Sequence, residues 1–267
     1  MATSAGGAVR AELFWHRMAI GLAIFIVFGF LQFALRGFVD PVAAPFWVHA
    51  HGVAMLAWLA LLIVQPTLVS RDNLPLHRKL GWAGAALAMV ITALGLFTGV
   101  ASLVLHRFPP FFSPPYFLAL TAVESLAFGA MVWAAVRRRR TTAWHRRLMI
   151  GATIVILEPA LGRLLPMPLI VGWSDIPVGL IQLAVVGVIA LYDRRTLGRI
   201  HPATKAIAAV VILVRATIYL LALTPPVVAL AERLTGGWRA ELPWRRPRCR
   251  GGAAPDGGGQ KPDKEKP

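Results

Sequence analysis

The chain contains 267 residues, of which 57% are hydrophobic and 15% charged, and it carries a formal net charge of +16. Soluble domains carry roughly a quarter charged residues, so this composition excludes an ordinary soluble protein and indicates a membrane protein. The single cysteine, Cys249, excludes an internal disulfide and a multi-cysteine metal site. Because no nucleic-acid-binding motif accompanies the positive charge, the expected partner is the lipid bilayer and not a nucleic acid.

The hydrophobic residues form seven runs, each near the length of about 20 residues that a helix needs to cross a bilayer. The runs do not alternate between apolar and polar residues, which excludes a transmembrane β-barrel. We therefore predict an all-α membrane protein, a bundle of about seven transmembrane helices within residues 17–232. A segment at residues 1–16 would precede the bundle, and the Gly-, Pro- and charge-rich tail at 233–267 is predicted to be disordered. The predicted helices are 17–35, 47–69, 80–104, 116–136, 148–165, 177–192 and 206–230.

Lysine and arginine concentrate in the loops after the second, fourth and sixth predicted helices. The loops after the first, third and fifth contain only Arg36, Arg107 and, at a helix end, Arg163. The positive-inside rule then predicts a cytoplasmic N-terminus and cytoplasmic even-numbered loops. A full seventh crossing would place the basic tail outside, against this rule. The Thr224-Pro225-Pro226 break leaves a partial crossing open, and we favour a full one.

A histidine followed by arginine stands at the entrance of three predicted helices, at His16, His77 and His145, and His201 opens a fourth. Histidine is the commonest metal ligand and titrates near neutral pH. The four residues are therefore either a ligand set or anchors at the membrane interface. Since all four lie on the same positively charged side, the pattern favours an anchoring and orienting role.

The second and third predicted helices carry two further histidine signals. His51 shares a helix face with Gln65, which favours a hydrogen-bonded histidine over a ligand, and we keep His51 as a candidate haem or metal ligand. His77 begins a stripe of small residues that lets helices approach closely, so His77 is predicted to point into the bundle. The stripe consists of Gly81, Gly84, Ala88, Gly95 and Gly99.

Three ionisable residues fall near the centre of predicted helices: Glu124, Glu158 and Arg215. A charge at that depth costs about 2.5–3.5 kcal/mol unless it is paired or faces water. We predict that Arg215 pairs with one glutamate, while the other is protonated or faces a cavity beside the Pro159 kink. This buried charge site is either a proton-coupled or anionic-substrate site, or a structural ion pair that fixes helix order.

Four scattered aspartates are interpreted as solvated loop residues. They are Asp40, Asp72, Asp175 and Asp193.

A b-type haem needs two histidines on neighbouring helices with small residues beside them. His77 and His145 satisfy this pattern, with Gly81 and Gly151 close in sequence. The arrangement loosely resembles di-haem b-type membrane cytochromes, which implies haem b and electron transfer. Those families place their ligands inside the spans, whereas these two histidines stand at span edges beside cations.

The box His-Arg-Lys-Leu-Gly-Trp at 77–82 and the box Trp-His-Arg-Arg-Leu-Met at 144–149 resemble a group of uncharacterised bacterial multi-pass membrane proteins. The resemblance covers roughly residues 15 to 230 and implies a helical bundle in the bacterial plasma (inner) membrane. It transfers no catalytic residue.

Signatures of hydrolases and nucleotide-binding enzymes are missing from the sequence, so an enzyme is not favoured. The first hypothesis is a small transport or sensing protein whose proton or small-molecule partner binds at Glu124, Glu158 and Arg215. The second is a haem-binding electron-transfer protein that uses His77 and His145. The third is a structural or assembly protein without small-molecule chemistry.

Overall fold

A computed structural model describes residues 2–170 and 172–236 of the chain. Within these residues it contains helices and no strands, which confirms the all-α fold class. The helices are α1 (Ala2–Leu35), α2 (Phe46–Ser70), α3 (Leu74–Val104), α4 (Pro114–Arg137), α5 (Thr142–Val155), α6 (Glu158–Leu164), α7 (Met167–Ile170), α8 (Asp175–Leu197), α9 (Pro202–Ala222) and α10 (Pro225–Leu234).

Six helices are long and apolar enough to cross a membrane, which makes the chain a multi-pass membrane protein in contact with lipid. They are α1 from Glu12 onward, α2, α3, α4, α8 and α9. Their outward surfaces expose large apolar side chains such as Phe28, Met89 and Leu213, as lipid-facing positions do. The predicted N-terminal segment is continuous with the first crossing, because α1 already begins at Ala2.

The fifth predicted run is not one helix. It forms α5 and α6, separated by a turn at Ile156 and Leu157, followed by the short α7. The break follows from Pro159, which has no N–H to donate to the carbonyl of Val155. α5 starts beside the end of α4, and α8 returns from the other end of the bundle, so α5 and α6 together run the length of the bundle.

A side chain from α8 satisfies the backbone at this break. The Gln182 amide nitrogen donates to the carbonyl oxygens of Ile154 and Val155, each at 2.9 Å. Gln182 is 1% exposed, so water does not replace it as a donor. Interrupted helices persist inside a membrane protein where a neighbouring helix supplies such partners. The prolyl break is therefore a built feature of the bundle interior, and eight of the fourteen residues of α5 are buried around it.

We expect Gln182→Met to lower the free energy of unfolding by about 1–3 kcal/mol, because it leaves the Val155 carbonyl buried without a donor. The measurement is denaturant unfolding of the purified protein in detergent micelles. In a Pro159→Ala background the restored N–H of residue 159 can bond that carbonyl, so the same substitution should cost less. An equal loss of unfolding free energy in both backgrounds would contradict the role of Gln182 as the donor to the Val155 carbonyl.

The seventh predicted run, 206–230, is also divided. α9 ends at Ala222, and α10 begins after Thr224 and packs against α3 and α4 through contacts of Ala231 with Leu103 and Leu118. At 1.5 Å per residue the 21 residues of α9 span about 32 Å, which is long enough for a full crossing without α10. Most of the tail predicted from residue 233, namely 237–267, lies outside the described residues.

The bundle has two ends that differ in charge. We call "basic end" the end formed by the turns 71–73, 138–141 and 198–201 with the adjoining helix ends, where Arg71, Arg78, Arg140 and Arg199 lie. The "opposite end" is formed by the segments 36–45, 105–113, 165–170 and 172–174. The cytoplasmic location of the basic end stays a prediction of the positive-inside rule.

The glycine stripe of α3 serves two neighbours. A Cβ atom on Gly99 would lie 2.7 Å from Cβ of Thr121 in α4, and one on Gly95 would meet the Ser125 side chain. These two glycines therefore set the close approach of α3 and α4. Gly84 is in ordinary contact with Leu61 of α2, and Gly81 has no neighbour within 4 Å of such an atom. The stripe is thus a packing feature from Gly84 onward, and its closest approaches lie in its second half.

Candidate functional site

Arg215 lies at the centre of a buried charge cluster formed by Glu124, Glu158, Asp175 and Arg215. Its Nη2 donates to Oε1 of Glu124, and its Nη1 lies 3.5 Å from Oδ1 of Asp175. The hydroxyl of Tyr116 donates to the same Asp175 oxygen at 2.9 Å. The cluster therefore joins four helices, α4, α6, α8 and α9, through charged groups.

The three sequence-predicted members of the cluster are deeply buried. Glu124 and Glu158 are each 5% exposed, and Arg215 is 7% exposed. Gly179 of α8 makes room for the arginine, since a Cβ atom there would lie 3.3 Å from Cγ of Arg215. Close packing of the arginine stem against a glycine holds the guanidinium group in one place.

Glu158 differs from the other two carboxylates because no hydrogen bond to its side chain is described in residues 2–170 and 172–236. It interacts electrostatically with Arg215, Arg163 and Asp175. Arg163 is held elsewhere: its Nη1 donates to the Pro159 carbonyl at 2.5 Å, and its guanidinium lies 4.0 Å from the Phe30 ring centroid. Arg215 is thus the central cation for three carboxylates.

The cluster reaches from the opposite end into the middle of the bundle. Asp175 is the first residue of α8, and Tyr116 lies in the first turn of α4. Glu124 lies ten residues after Pro114, about 15 Å along α4 at 1.5 Å per residue. Toward the basic end α8 and α9 bury a series of apolar side chains: Val186, Ile189, Ile207 and Val211. The polar groups of the cluster therefore continue toward one end only.

The structure makes Glu124 the direct partner of Arg215 and places Glu158 within electrostatic reach of it, while their role as a functional site stays a prediction. Sequence reasoning missed Tyr116 and Asp175. The interpretation of Asp175 as a solvated residue is wrong, because its side chain is 18% exposed and contacts both Arg215 and Tyr116. The sequence did contain a signal: Asp175 stands directly before an apolar run, and acidic residues are common in the first turn of a helix.

A second buried ion pair lies at the basic end. Arg147 of α5 donates to Asp193 of α8, and the two residues are 1% and 0% exposed. The other Asp193 oxygen accepts from the Thr204 hydroxyl at 2.5 Å and from the His201 backbone N–H at 3.1 Å. The interpretation of Asp193 as solvated is therefore wrong. An acidic residue near a helix C-terminus opposes the helix dipole, which was the signal that it needs a cation.

The entrance histidines make hydrogen bonds between helix ends. His145 donates from Nδ1 to the Ala135 carbonyl at 2.9 Å, which ties α5 to α4. The Gln65 amide, oriented to match its neighbours, donates to Nδ1 of His77 at 2.5 Å and ties α2 to α3. Nδ1 of His16 lies 3.4 Å from the Thr67 hydroxyl, between α1 and α2. These contacts join neighbouring helices, and anchoring at the membrane interface stays a prediction.

His201 caps α9, because its Nδ1 accepts from the Ala203 N–H at 3.1 Å. Burial, and next the positive charge of Arg147, lower the pKa of His201 below its usual value. A lowered pKa keeps the imidazole neutral, which leaves the Nδ1 lone pair free to accept. The fourth entrance histidine is therefore a helix cap.

The haem ligands predicted from the sequence stay a prediction. His145 donates from Nδ1, which leaves its Nε2 lone pair for an axial bond. Nδ1 of His77 instead accepts from Gln65, so its neutral ring carries the proton on Nε2, and an axial bond would require the other tautomer. His51 packs near Gly95, and its buried Nδ1 has no partner among the described residues. The described residues contain no group of three or more His, Cys, Asp and Glu side chains that could hold a metal ion. The absorption spectrum of purified protein, with a Soret band as the indicator, tests this prediction.

Comparisons with known proteins add no information on this site. Neither protein-family models, nor curated proteins, nor solved structures gave a match to the chain, so its membership of a family is not shown and the two boxes remain a resemblance.

Proposed function

We propose that the chain is a small transport or sensing protein of the membrane, and that protons bind at the buried charge cluster. The observation that carries this proposal is the ratio of charges: three carboxylates, of Glu124, Glu158 and Asp175, surround the guanidinium of Arg215. The proposal chooses between the two functional forms that the sequence left open, a proton-coupled site and a site for an anionic substrate.

Charge balance supports the proton-coupled form. With all four groups ionised, the cluster would carry a net charge of −2, from three carboxylates and one guanidinium. The balance is still −1 when the guanidinium of Arg163, which interacts with Glu158, is counted as well. Uncompensated charges inside a bilayer are costly, so carboxylates beyond the first are stable there when they hold a proton or a cation. An anionic substrate would add to the imbalance and is therefore not favoured. Glu158, which lacks a described hydrogen-bond partner, is the group that we assign to proton exchange.

Access to the cluster also supports the proposal. Asp175 and Tyr116 extend the polar groups to the opposite end, whereas buried apolar side chains close the path toward the basic end. Glu158 begins α6 directly after the helix break. Transporters commonly place coupling sites near the midplane at such interrupted helices. A proton would enter from the opposite end, and its passage onward would require a movement of the helices.

The test is proton flux into liposomes that contain the purified protein and a trapped pH-sensitive dye, driven by a potassium diffusion potential. We expect wild-type flux above that of protein-free liposomes and background flux for Glu158→Gln. Glu232→Gln is the matched control, because Glu232 is exposed on α10. Infrared spectroscopy of the same samples should show a deuterium-sensitive carbonyl band of a protonated carboxyl group that disappears in Glu158→Gln.

The outcomes separate the hypotheses. Flux together with the carbonyl band supports transport, and the band with a pH-dependent conformational change but no flux supports sensing. Absence of both flux and band would overturn the proposal and leave a structural ion pair. Glu158→Gln should unfold at the same denaturant concentration as wild type or a higher one, because it removes an unpaired carboxylate. A large loss of stability would instead indicate a structural role for Glu158.

A further inference from the structure

A cavity of about 510 Å³ lies at the basic end, between the end of α8 and the start of α9, and it does not involve the buried charge cluster. Its volume falls within the range of roughly 300–1,000 Å³ that is usual for small-molecule sites. The lining residues are Arg194, Gly198, Arg199, Ile200, Pro202 and Lys205. Three of the six carry a positive charge, so the cavity is suited to an anion.

The turn between the helices brings these cations together. Gly198 ends α8 in the left-handed conformation, with φ at +69°, and the chain reverses there within a few residues. Arg194 therefore comes from the last turn of α8, Arg199 from the turn and Lys205 from the first turn of α9. A residue other than glycine would be strained at this position. Gly198 therefore determines the tight turn that forms the cavity.

The three cations have no carboxylate partner within residues 2–170 and 172–236. The nearest acidic side chain in sequence, Asp193, is buried and already bound by Arg147, the Thr204 hydroxyl and the His201 backbone. Three like charges around one cavity repel one another unless an anion lies between them. The N-terminus of α9 contributes little, because His201 caps it.

Other cations at the basic end are placed differently. Arg137, Arg138 and Arg139 lie over the rings of Trp133, Trp144 and Trp82, at 4.8, 3.9 and 5.5 Å from the ring centroids. Cation–π contacts of this kind satisfy a guanidinium at the membrane interface. Among the described residues, no such ring contact involves Arg194, Arg199 or Lys205. The three cavity cations thus have neither a carboxylate nor a ring as a described partner, and all three line one cavity.

We propose that this cavity binds the phosphate group of an anionic phospholipid. Helix ends of a membrane bundle lie at the level of the headgroups, and basic pockets between such helices bind anionic headgroups. A free phosphate shares this chemistry, but a lipid is present at high concentration beside the cavity. Leu191 and Leu197 of α8, close in sequence to Arg194 and Gly198, are exposed apolar side chains that acyl chains of such a lipid could cover.

The experiment measures lipid binding to the full chain in nanodiscs of phosphatidylcholine that contain a small fraction of spin-labelled phosphatidylglycerol. The immobilised fraction of the label reports binding. We expect the triple variant Arg194→Gln, Arg199→Gln, Lys205→Gln to weaken this binding by about tenfold or more. The control variant Arg137→Gln, Arg139→Gln, Arg140→Gln removes the same charge from the same end and should weaken binding less than about twofold.

Three results would overturn the proposal. Equal losses in the two triple variants would indicate diffuse attraction of lipid to the basic end. No loss in the cavity variant would show that the cavity binds no lipid. The third result is that millimolar inorganic phosphate displaces the labelled lipid while sodium chloride at equal ionic strength does not. That result would identify free phosphate as the ligand. Circular dichroism checks that the variants fold. Proton flux is a second check, because it depends on the buried charge cluster and not on the cavity.

Discussion

Replacement of Arg215 by glutamine should lower the free energy of unfolding by about 3–5 kcal/mol, the usual cost of removing one partner from a buried ion pair. The reason is that Glu124 and Asp175 lose their shared cation in a region that is 5–7% exposed at Glu124 and Arg215. The measurement is denaturant unfolding of the purified protein in detergent micelles, monitored by tryptophan fluorescence.

The double variant Arg215→Gln, Glu124→Gln should recover part of this loss, because two amides can hydrogen-bond where Arg215 and Glu124 were paired, while Asp175 still lacks its cation. Arg71→Gln, which removes an exposed arginine at the end of α2, should change the free energy of unfolding by less than about 1 kcal/mol. If Arg215→Gln behaves like Arg71→Gln, the cluster does not exist in the folded protein.

Replacement of Asp193 by asparagine should cost a similar amount, about 3–5 kcal/mol, because it leaves the guanidinium of Arg147 uncompensated at 1% exposure. Asparagine keeps the size of the side chain and can still accept from the Thr204 hydroxyl, so the loss reports the charge and not a cavity. The same unfolding measurement applies, and the effect should weaken little at high salt because the pair is shielded from solvent.

Arg146 supplies the matched control for this pair. It is the sequence neighbour of Arg147, and its guanidinium lies 5.0 Å from the Trp15 ring centroid, against 4.9 Å for Arg147. Since Arg146 makes no described ion pair, Arg146→Gln should cost about 1 kcal/mol or less. A loss as large as that of Asp193→Asn would show that the aromatic contact and not the carboxylate stabilises this end.

The fold class was accessible from the sequence because run length and charge placement follow directly from the thickness and polarity of the bilayer. The two divided runs were not, although their prolines were visible. A proline shows where a helical hydrogen bond is missing, but whether the helix merely bends or ends depends on a partner elsewhere in the chain. For Pro159 that partner is Gln182, 23 positions away, and no local pattern identifies it.

The candidate site divides in the same way. Glu124, Glu158 and Arg215 could be predicted because a charge inside an apolar run needs compensation wherever the helices lie. Asp175 and Asp193 stand at the borders of runs, where a solvated residue and a buried one have the same local sequence. Only the packing of α8 against α5, α6 and α9 decides between these environments, and that packing is a long-range property.

The helix break gives the charge cluster a mechanical property. α6 rests on α1, where a Cβ atom on Gly29 would lie 3.0 Å from the Ala160 carbonyl oxygen and Gln32 donates to the Arg163 carbonyl at 2.9 Å. Glu124 and Arg215 instead belong to α4 and α9, which pack directly on each other. The side chains of the cluster therefore come from two differently packed groups of helices, α1 with α6 and α4 with α9. A tilt of α1 together with α6 would change the distance from Glu158 to Arg215. The ion pair of Arg215 with Glu124 would stay intact during this movement.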